Sequence, residues 1–274
     1  MTEPKMSLPE FFGWRRHPFS DAYSLPEPFL SDKDRRITAQ GLAFLSYGKS
    51  FALIGPSGSG KSTLLQYILA NLDTNYYRGV LIHYGGLLRN GLLRAIADQL
   101  GLETNTRNLP LLIKLQKHVM EMTSSTSGSF PVIAVDDAQM LERESLLDLC
   151  SLTVSPKKKT SAASLILVGD DTLAQKLELD VMKPIRTRLT VMFQMQPLDD
   201  TESQDFIRFR LQQAEAPQDL FQPEALAIIA SHCRGNRRQI MNVGTLLMEE
   251  ACYRREKMIG PQLILSCDLL DISG

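Results

Sequence analysis

Residues 50–63 read Ser50-Phe51-Ala52-Leu53-Ile54-Gly55-Pro56-Ser57-Gly58-Ser59-Gly60-Lys61-Ser62-Thr63. The apolar run Phe51–Ile54 suits a strand buried on both faces. Glycines then punctuate the chain as Gly55-x-x-x-x-Gly60-Lys61-Ser62, and a helical period opens at Lys61. Strand, glycine-rich turn and helix N-terminus in that order make a phosphate-binding loop. The glycines let backbone N–H groups face an anion, and the helix end adds a partial positive charge. Gly55, Pro56, Ser57, Gly58, Ser59, Gly60, Lys61, Ser62 and Thr63 are therefore the candidate phosphate-binding residues. Lys61 is placed to reach the β- and γ-phosphates, and the Ser62 hydroxyl to ligate Mg²⁺. The pattern predicts a site for ATP with Mg²⁺.

Outward from this loop, short apolar runs alternate with helical periods. The runs predict strands at 50–54, 79–83, 130–135, 164–168 and 191–195, with helices at 61–72, 87–100, 109–122, 141–152 and 171–179 between them. Alternating strands and helices with near-continuously apolar strands predict a parallel sheet covered on both faces, an α/β core. Ahead of it, Ser31 and Asp34 form a capping-box pattern for a helix ending near Gly48. Residues 1–30, rich in proline and aromatics, predict an extended segment lying on the body of the protein. After Pro197 the pattern turns helical, with helices expected at 199–214, 222–233 and 237–257 and a last one within 260–272. The expected organisation is thus 1–30, an α/β domain over 31–197 and a small all-helical domain over 198–274.

The run 130–137, Phe-Pro-Val-Ile-Ala-Val-Asp-Asp, is an apolar strand ending in two carboxylates. It fits a Walker B strand, with Asp136 holding Mg²⁺ through water. Asp137 stands where many P-loop ATPases carry a glutamate that orients the attacking water. One methylene less shortens its reach, so slow hydrolysis is expected.

Composition narrows the class. The chain has 274 residues, 43% of them hydrophobic and 22% charged, and a formal net charge of −1. That balance suits a globular protein and excludes a global field for nucleic acid, so any such contact must be a local patch. Cys150, Cys233, Cys252 and Cys267 show no metal-binding spacing, and the four histidines (His17, His83, His118, His232) are scattered. Reduced thiols, no apolar leader and no run long enough to span a bilayer predict a cytoplasmic protein without membrane insertion.

The run Val135-Asp136-Asp137-Ala138-Gln139-Met140-Leu141 resembles the D-E-A-Q-x-L segment of ExeA-type AAA+ ATPases, a group related to the transposition ATPases MuB, TniB, TnsC and IstB. Further matches follow in order. Phe12-Gly13 through Pro18-Phe19 resembles the group's N-terminal aromatic segment, and Leu165–Asp170 its sensor-1 strand. Ile185-Arg186-Thr187-Arg188 resembles its arginine-bearing stretch, and Gly235-Asn236-Arg237-Arg238-Gln239-Ile240 its G-N-P-R-R-I motif in the helical lid. The departures are Asp137 for glutamate, Asp170 for an uncharged polar residue and Arg237 for proline. The resemblance implies an AAA+ core followed by a helical lid. It also implies that Asp170 and Arg238 sense the γ-phosphate, and that Arg186 or Arg188 completes a neighbouring subunit's site in a ring or helical homo-oligomer.

Lys157-Lys158-Lys159 is the best candidate for sequence-independent contact with duplex DNA. Arg15-Arg16, Arg35-Arg36 and Arg254-Arg255 are weaker ones. The resemblance implies, first, an ATP-dependent DNA-binding regulator that selects target DNA and stimulates a DDE-type transposase, its slow hydrolysis stimulated by DNA or a partner. The alternative is an ExeA-like secretion-associated assembly ATPase. Against it, secretory ExeA-type proteins continue into a membrane span and a peptidoglycan-binding region that this sequence lacks. A small-molecule kinase would need an acceptor pocket and a kinase-type lid, which the sequence does not suggest.

Overall fold

The computed structural model describes residues 8–14, 16–22, 27–83, 87–103, 109–124, 128–155 and 160–267. In chain order its helices are α1 (Leu8–Phe12), α2 (Asp32–Ser46), α3 (Lys61–Ala70), α4 (Arg89–Gln99), α5 (Leu111–Met122), α6 (Arg143–Leu152), α7 (Asp171–Glu178), α8 (Lys183–Arg186), α9 (Asp200–Gln213), α10 (Pro223–Cys233), α11 (Arg237–Tyr253) and α12 (Pro261–Leu265). The strands are β1 (Ser50–Ile54), β2 (Tyr77–His83), β3 (Phe130–Asp136), β4 (Ser164–Gly169) and β5 (Leu189–Gln194). Contacts divide the chain into two compact units. One comprises Asp32–Pro56 with Lys61–Met195; the other comprises the described residues of Met1–Ser31, Ser57–Gly60 and Gln196–Gly274.

The first unit is an α/β layer structure. All five strands are parallel, in the order β2-β3-β4-β1-β5. β1 and β4 are buried along their whole length, so alternate side chains feed two cores. Ala52, Ile54, Ile133, Val135, Leu165 and Leu167 face one core, with Leu92, Ile96, Leu115 and Leu149 from α4, α5 and α6. On the opposite face Phe51 meets α2 and α3: a Cβ on Gly41 would stand 3.1 Å from the Phe51 ring and 3.7 Å from Ile68. Gly48, with φ +65°, closes α2 in the left-handed region, where its own N–H reaches Leu45 O and that of Lys49 reaches Phe44 O. One side chain pairs with the outer edge of β2 at Leu81. The Gln99 amide accepts from Leu81 N at 3.0 Å and donates to Leu81 O at 2.8 Å, pairing as a neighbouring strand would.

The second unit is helical. Asp199 opens α9 with a complete capping box, its carboxylate accepting from Glu202 N while the Glu202 carboxylate accepts from Asp199 N. Its core gathers Phe206, Leu211, Leu226, Ile229, Ile240 and Leu247, and the N-terminal aromatics join it. Trp14 stacks on Phe12 at 4.4 Å, Phe19 meets Phe221 edge-on at 6.0 Å, and Phe29 meets Phe206 and Phe209. Gly244 makes room for Phe19, since a Cβ there would stand 2.6 Å from the ring. The Arg210 guanidinium, 7% exposed, donates to the carbonyls of Pro18 and Ser20. The N-terminal stretch is thus part of a core, and it opens with the short helix α1 where an extended segment is expected.

The α/β class read from the sequence is borne out, including the helical C-terminal region. Boundaries move by one to three residues for most elements. α11 stops at Tyr253, short of 257, because Arg255 turns left-handed (φ 60°) and Glu256 N bonds back to Ala251 O. α8 is too short to show as a period. Of the last expected helix, Pro261–Leu265 is helical and 268–274 lie outside the described residues.

Two checks follow. Phe19→Ala removes a ring that is 3% exposed and should cost about 3–5 kcal/mol of stability, read as a lower urea midpoint in Trp14 fluorescence. Burial pushes the Cys233 thiol up to about 12, so it stays protonated at pH 8. In a thiol-reagent titration at that pH, half-buried Cys252 should react in the native protein and Cys233 only after unfolding.

Candidate active site

The loop after β1 takes the shape its glycines permit. Gly58 and Gly60 have φ of +78° and +94°, a region that side chains with a Cβ enter only at a cost. Gly55 N donates to Gly169 O at 3.2 Å, tying the start of the loop to the end of β4. Lys61 opens α3, and its ammonium reaches back across the loop to Gly55 O at 2.8 Å and Pro56 O at 2.9 Å. Ser62 and Thr63 stand exposed in the first turn of α3, the end where a helix presents its unpaired N–H groups. Ser59 is 1% exposed, and its hydroxyl has no partner among the described residues. Positive-φ glycines, a lysine ammonium held over the loop and an orphan hydroxyl fit a polyphosphate.

The tip of this loop, Ser57–Gly60, clusters with the helical unit, which divides the loop that the sequence assigns wholly to the α/β domain. The cause is the motif at the start of α11. Asn236 caps α11 by accepting from Gln239 N, and its Nδ2 donates to Ser57 O at 2.9 Å. Arg237 N donates to Gly58 O, and the Arg237 guanidinium to Ser59 O. Arg238 Nη1 donates to the Ser57 hydroxyl at 2.9 Å. A Cβ on Gly58 would stand 2.0 Å from Asn236 Oδ1, so this contact needs glycine as much as the backbone angle does. Gly235 (φ +73°) sets the turn into α11; its Cβ would stand 1.8 Å from Leu198 O.

The parallel register brings the acidic groups to the C-terminal edge of the sheet. Asp136 ends β3 and is 3% exposed; its Oδ1 accepts from Asp137 N, and its Oδ2 lies 3.4 Å from Nδ1 of His83, its register partner on β2. Asp137 is left-handed (φ 52°, ψ 38°), a strained state that Asp tolerates better than most residues. Its Oδ1 accepts from Gln139 Nε2 at 3.1 Å. Asp170 follows β4 and caps α7, accepting from the N–H and the hydroxyl of Thr172. The Thr172 hydroxyl, outweighing the effect of partial burial, holds the Asp170 carboxyl below its ordinary value; the backbone N–H groups of Thr172 and Leu173 and the charge of Lys61 add to this. An ionised carboxylate has no proton to offer a phosphate oxygen, so Asp170 can meet one only through water.

The other sequence candidates fall out as follows. Arg186 is engaged with Glu178 (Nη1 to Oε2, 2.9 Å, and to Glu178 O, 3.1 Å). Arg188 is exposed, lies beside the Cys150 thiol and makes no ion pair among the described residues. Lys157, Lys158, Lys159 and Arg15 lie outside the described residues. Three contributors had no assigned role in the sequence: His83, which needed the strand order; Asn236, visible only as a motif letter; and Gln139.

A family model described as an AAA domain matches residues 45–177. General secretion pathway protein A of Aeromonas hydrophila is 29% identical over 223 residues, which cover 79% of this chain and 40% of that protein. The chain thus spans about two fifths of the length of that curated relative. Among solved structures, the ORC2 protein of Aeropyrum pernix with ADPNP and ADP superposes with a TM-score of 0.71 at 15% identity, covering 91% of this chain and 70% of that one. The ORC1 protein of Aeropyrum pernix in complex with DNA gives 0.67 at 15%, covering 88% and 66%. The RuvB Holliday junction branch migration motor of Thermotoga maritima gives 0.60 at 17%, covering 88% and 69%. At these identities the structures speak for the fold alone. Fold, loop and family match together give the chain a P-loop α/β core of the AAA+ type.

Asp170→Ala should lower stability by about 1 kcal/mol at pH 7, the usual worth of an N-cap. Because the folded carboxyl titrates below its ordinary value of 3.8, the cap's contribution is whole above that value and lost as pH falls through the folded one. The gap between wild-type and variant urea midpoints should therefore close in acid.

Proposed function

We propose that this chain is an ATP-driven assembly ATPase of a protein-secretion pathway, the reading the sequence placed second. The observation that carries it is the 29% identity to General secretion pathway protein A across 79% of the chain. The DNA-handling proteins among the structural neighbours share the fold at 15–17% identity and carry no such weight.

In this reading Lys61 and the loop N–H groups hold the β- and γ-phosphates, and Ser62 and Asp136 hold Mg²⁺. Bound there, the cation neutralises charge that builds on the phosphate oxygens. Asp137 orients the attacking water, and Asp170 acts through water beside it. Arg238 answers to the γ-phosphate through its bond to the loop. Arg188, which makes no ion pair among the described residues, is a better candidate than Arg186 for reaching a neighbouring copy in an ATP-gated homo-oligomer. The second reading, an ATP-gated regulator that binds duplex DNA and serves a DDE-type transposase, has the Lys157–Lys159 run in its favour.

Two arms of one experiment separate them. Deleting the gene in its own host should lower the yield of secreted proteins several-fold, with wild type restoring it and Lys61→Ala failing to. Purified protein should bind random-sequence duplex DNA no better with ATP than with ADP. Normal secretion in the deletion strain, together with salt-sensitive, ATP-dependent DNA binding lost in Lys61→Ala, would replace the secretion reading with the transposition one.

A further inference from the structure

One polar side chain beside the acidic groups is not accounted for by nucleotide or metal binding. Gln139 sits in the 3₁₀ turn Ala138–Met140, directly after the carboxylate pair. Its Nε2 donates to Asp137 Oδ1 at 3.1 Å. Its Oε1 is buried and accepts from no group among the described residues. A Cβ on Gly169 would stand 2.7 Å from that oxygen, which places it against the backbone at the C-terminal end of β4. The turn itself is pinned from α7: Lys176 Nζ donates to the carbonyls of Gln139 and Leu141.

We propose that Gln139 is the positioning residue for Asp137, an inference that rests on Asp137 orienting the attacking water. An aspartate carboxylate can turn about its last bond, a broad torsion without sharp rotamers. The amide fixes it. Bonding Oδ1 leaves Oδ2 as the oxygen that can act, and Lys176 stops the turn from carrying the amide away. Its Oε1, buried against the end of β4, keeps the amide from swinging out toward solvent. Gln139 thereby fixes the direction of a carboxylate whose reach is one methylene short.

The test compares wild type, Gln139→Met, Asp137→Asn and the double variant. Methionine keeps the shape of glutamine and removes both polar groups. Single-turnover ATP hydrolysis should slow roughly 10- to 100-fold in Gln139→Met, with ATP affinity within about twofold of wild type. In the Asp137→Asn background the same change should add less than about twofold, because Gln139 acts through Asp137. A readout independent of turnover is the side-chain amide ¹⁵N–¹H signal of Gln139 in nucleotide-free protein, which should shift when Asp137 becomes Asn. If Asp137→Asn hydrolyses ATP at the wild-type rate, the reading of Asp137 itself falls. If Asp137→Asn is slow but Gln139→Met is not, or the two losses multiply in the double variant, Asp137 keeps its role and the proposal for Gln139 is overturned. Should Gln139→Met not fold, an amide signal unmoved by Asp137→Asn overturns it instead.

Discussion

Everything at the active edge depends on a parallel sheet whose three inner strands are buried on both faces. Parallel strands run their C-terminal ends to the same side, so the residues just past β1, β3 and β4 are neighbours whatever their distance in sequence. The order β3-β4-β1 puts the strand that ends in Asp136 one strand away from the glycine-rich loop after β1, with β4 between them. The bond from Gly55 N to Gly169 O shows how directly β4 links them. Burial on both faces fixes the register, because a slip of one residue would exchange the two cores. Ser50 contributes at the opposite end of the sheet, where its buried hydroxyl accepts from Leu165 N and satisfies a group that the ladder leaves over.

Much of this was legible in the sequence because it is local. The strand–loop–helix around Gly55–Lys61, the strand into Asp136 and the helix that opens after Asp199 each depend on residues a few positions apart, and all three appear in place. Pairings across the sheet were not legible. His83 sits beside Asp136 only because β2 lies next to β3 in register, and no spacing in the sequence states a strand order. The Gln99 clamp on Leu81 and the Lys176 clamp on the turn after β3 are likewise unions of distant residues through side chains that read as ordinary surface.

Arginine shows the limit most plainly. A sequence shows where the guanidinium groups are but not which are already engaged. Arg210 in α9 is drawn into holding the backbone of the N-terminal segment, and Arg186 is taken by Glu178. Arg237 and Arg238 are neighbours, yet one bonds a loop carbonyl and the other a loop hydroxyl. The departure from proline at Arg237 thus matters for more than helix initiation. A proline there could neither donate its N–H to Gly58 O nor send a side chain to Ser59 O.

Asp137 brings these strands of argument to one residue. A glutamate at this place would reach farther with an extra rotatable bond, and its carboxylate would need less help from the backbone. The aspartate instead sits in a left-handed conformation whose cost is on the order of 1 kcal/mol. Such strain persists only where surrounding contacts over-determine it, and here they are specific. The Asp137 N–H is held by Asp136 Oδ1, its carboxylate by Gln139, and the following turn by Lys176. One bond to the carboxylate, one from its own backbone N–H and a clamp on the following turn set its direction at the expense of its range of movement. A carboxylate so placed orients water well in one geometry and poorly in any other. In the proposed reading, hydrolysis then depends on how closely the rest of the site, including a group from a neighbouring copy, matches that geometry. In that reading this dependence is the physical basis for slow hydrolysis that answers to assembly.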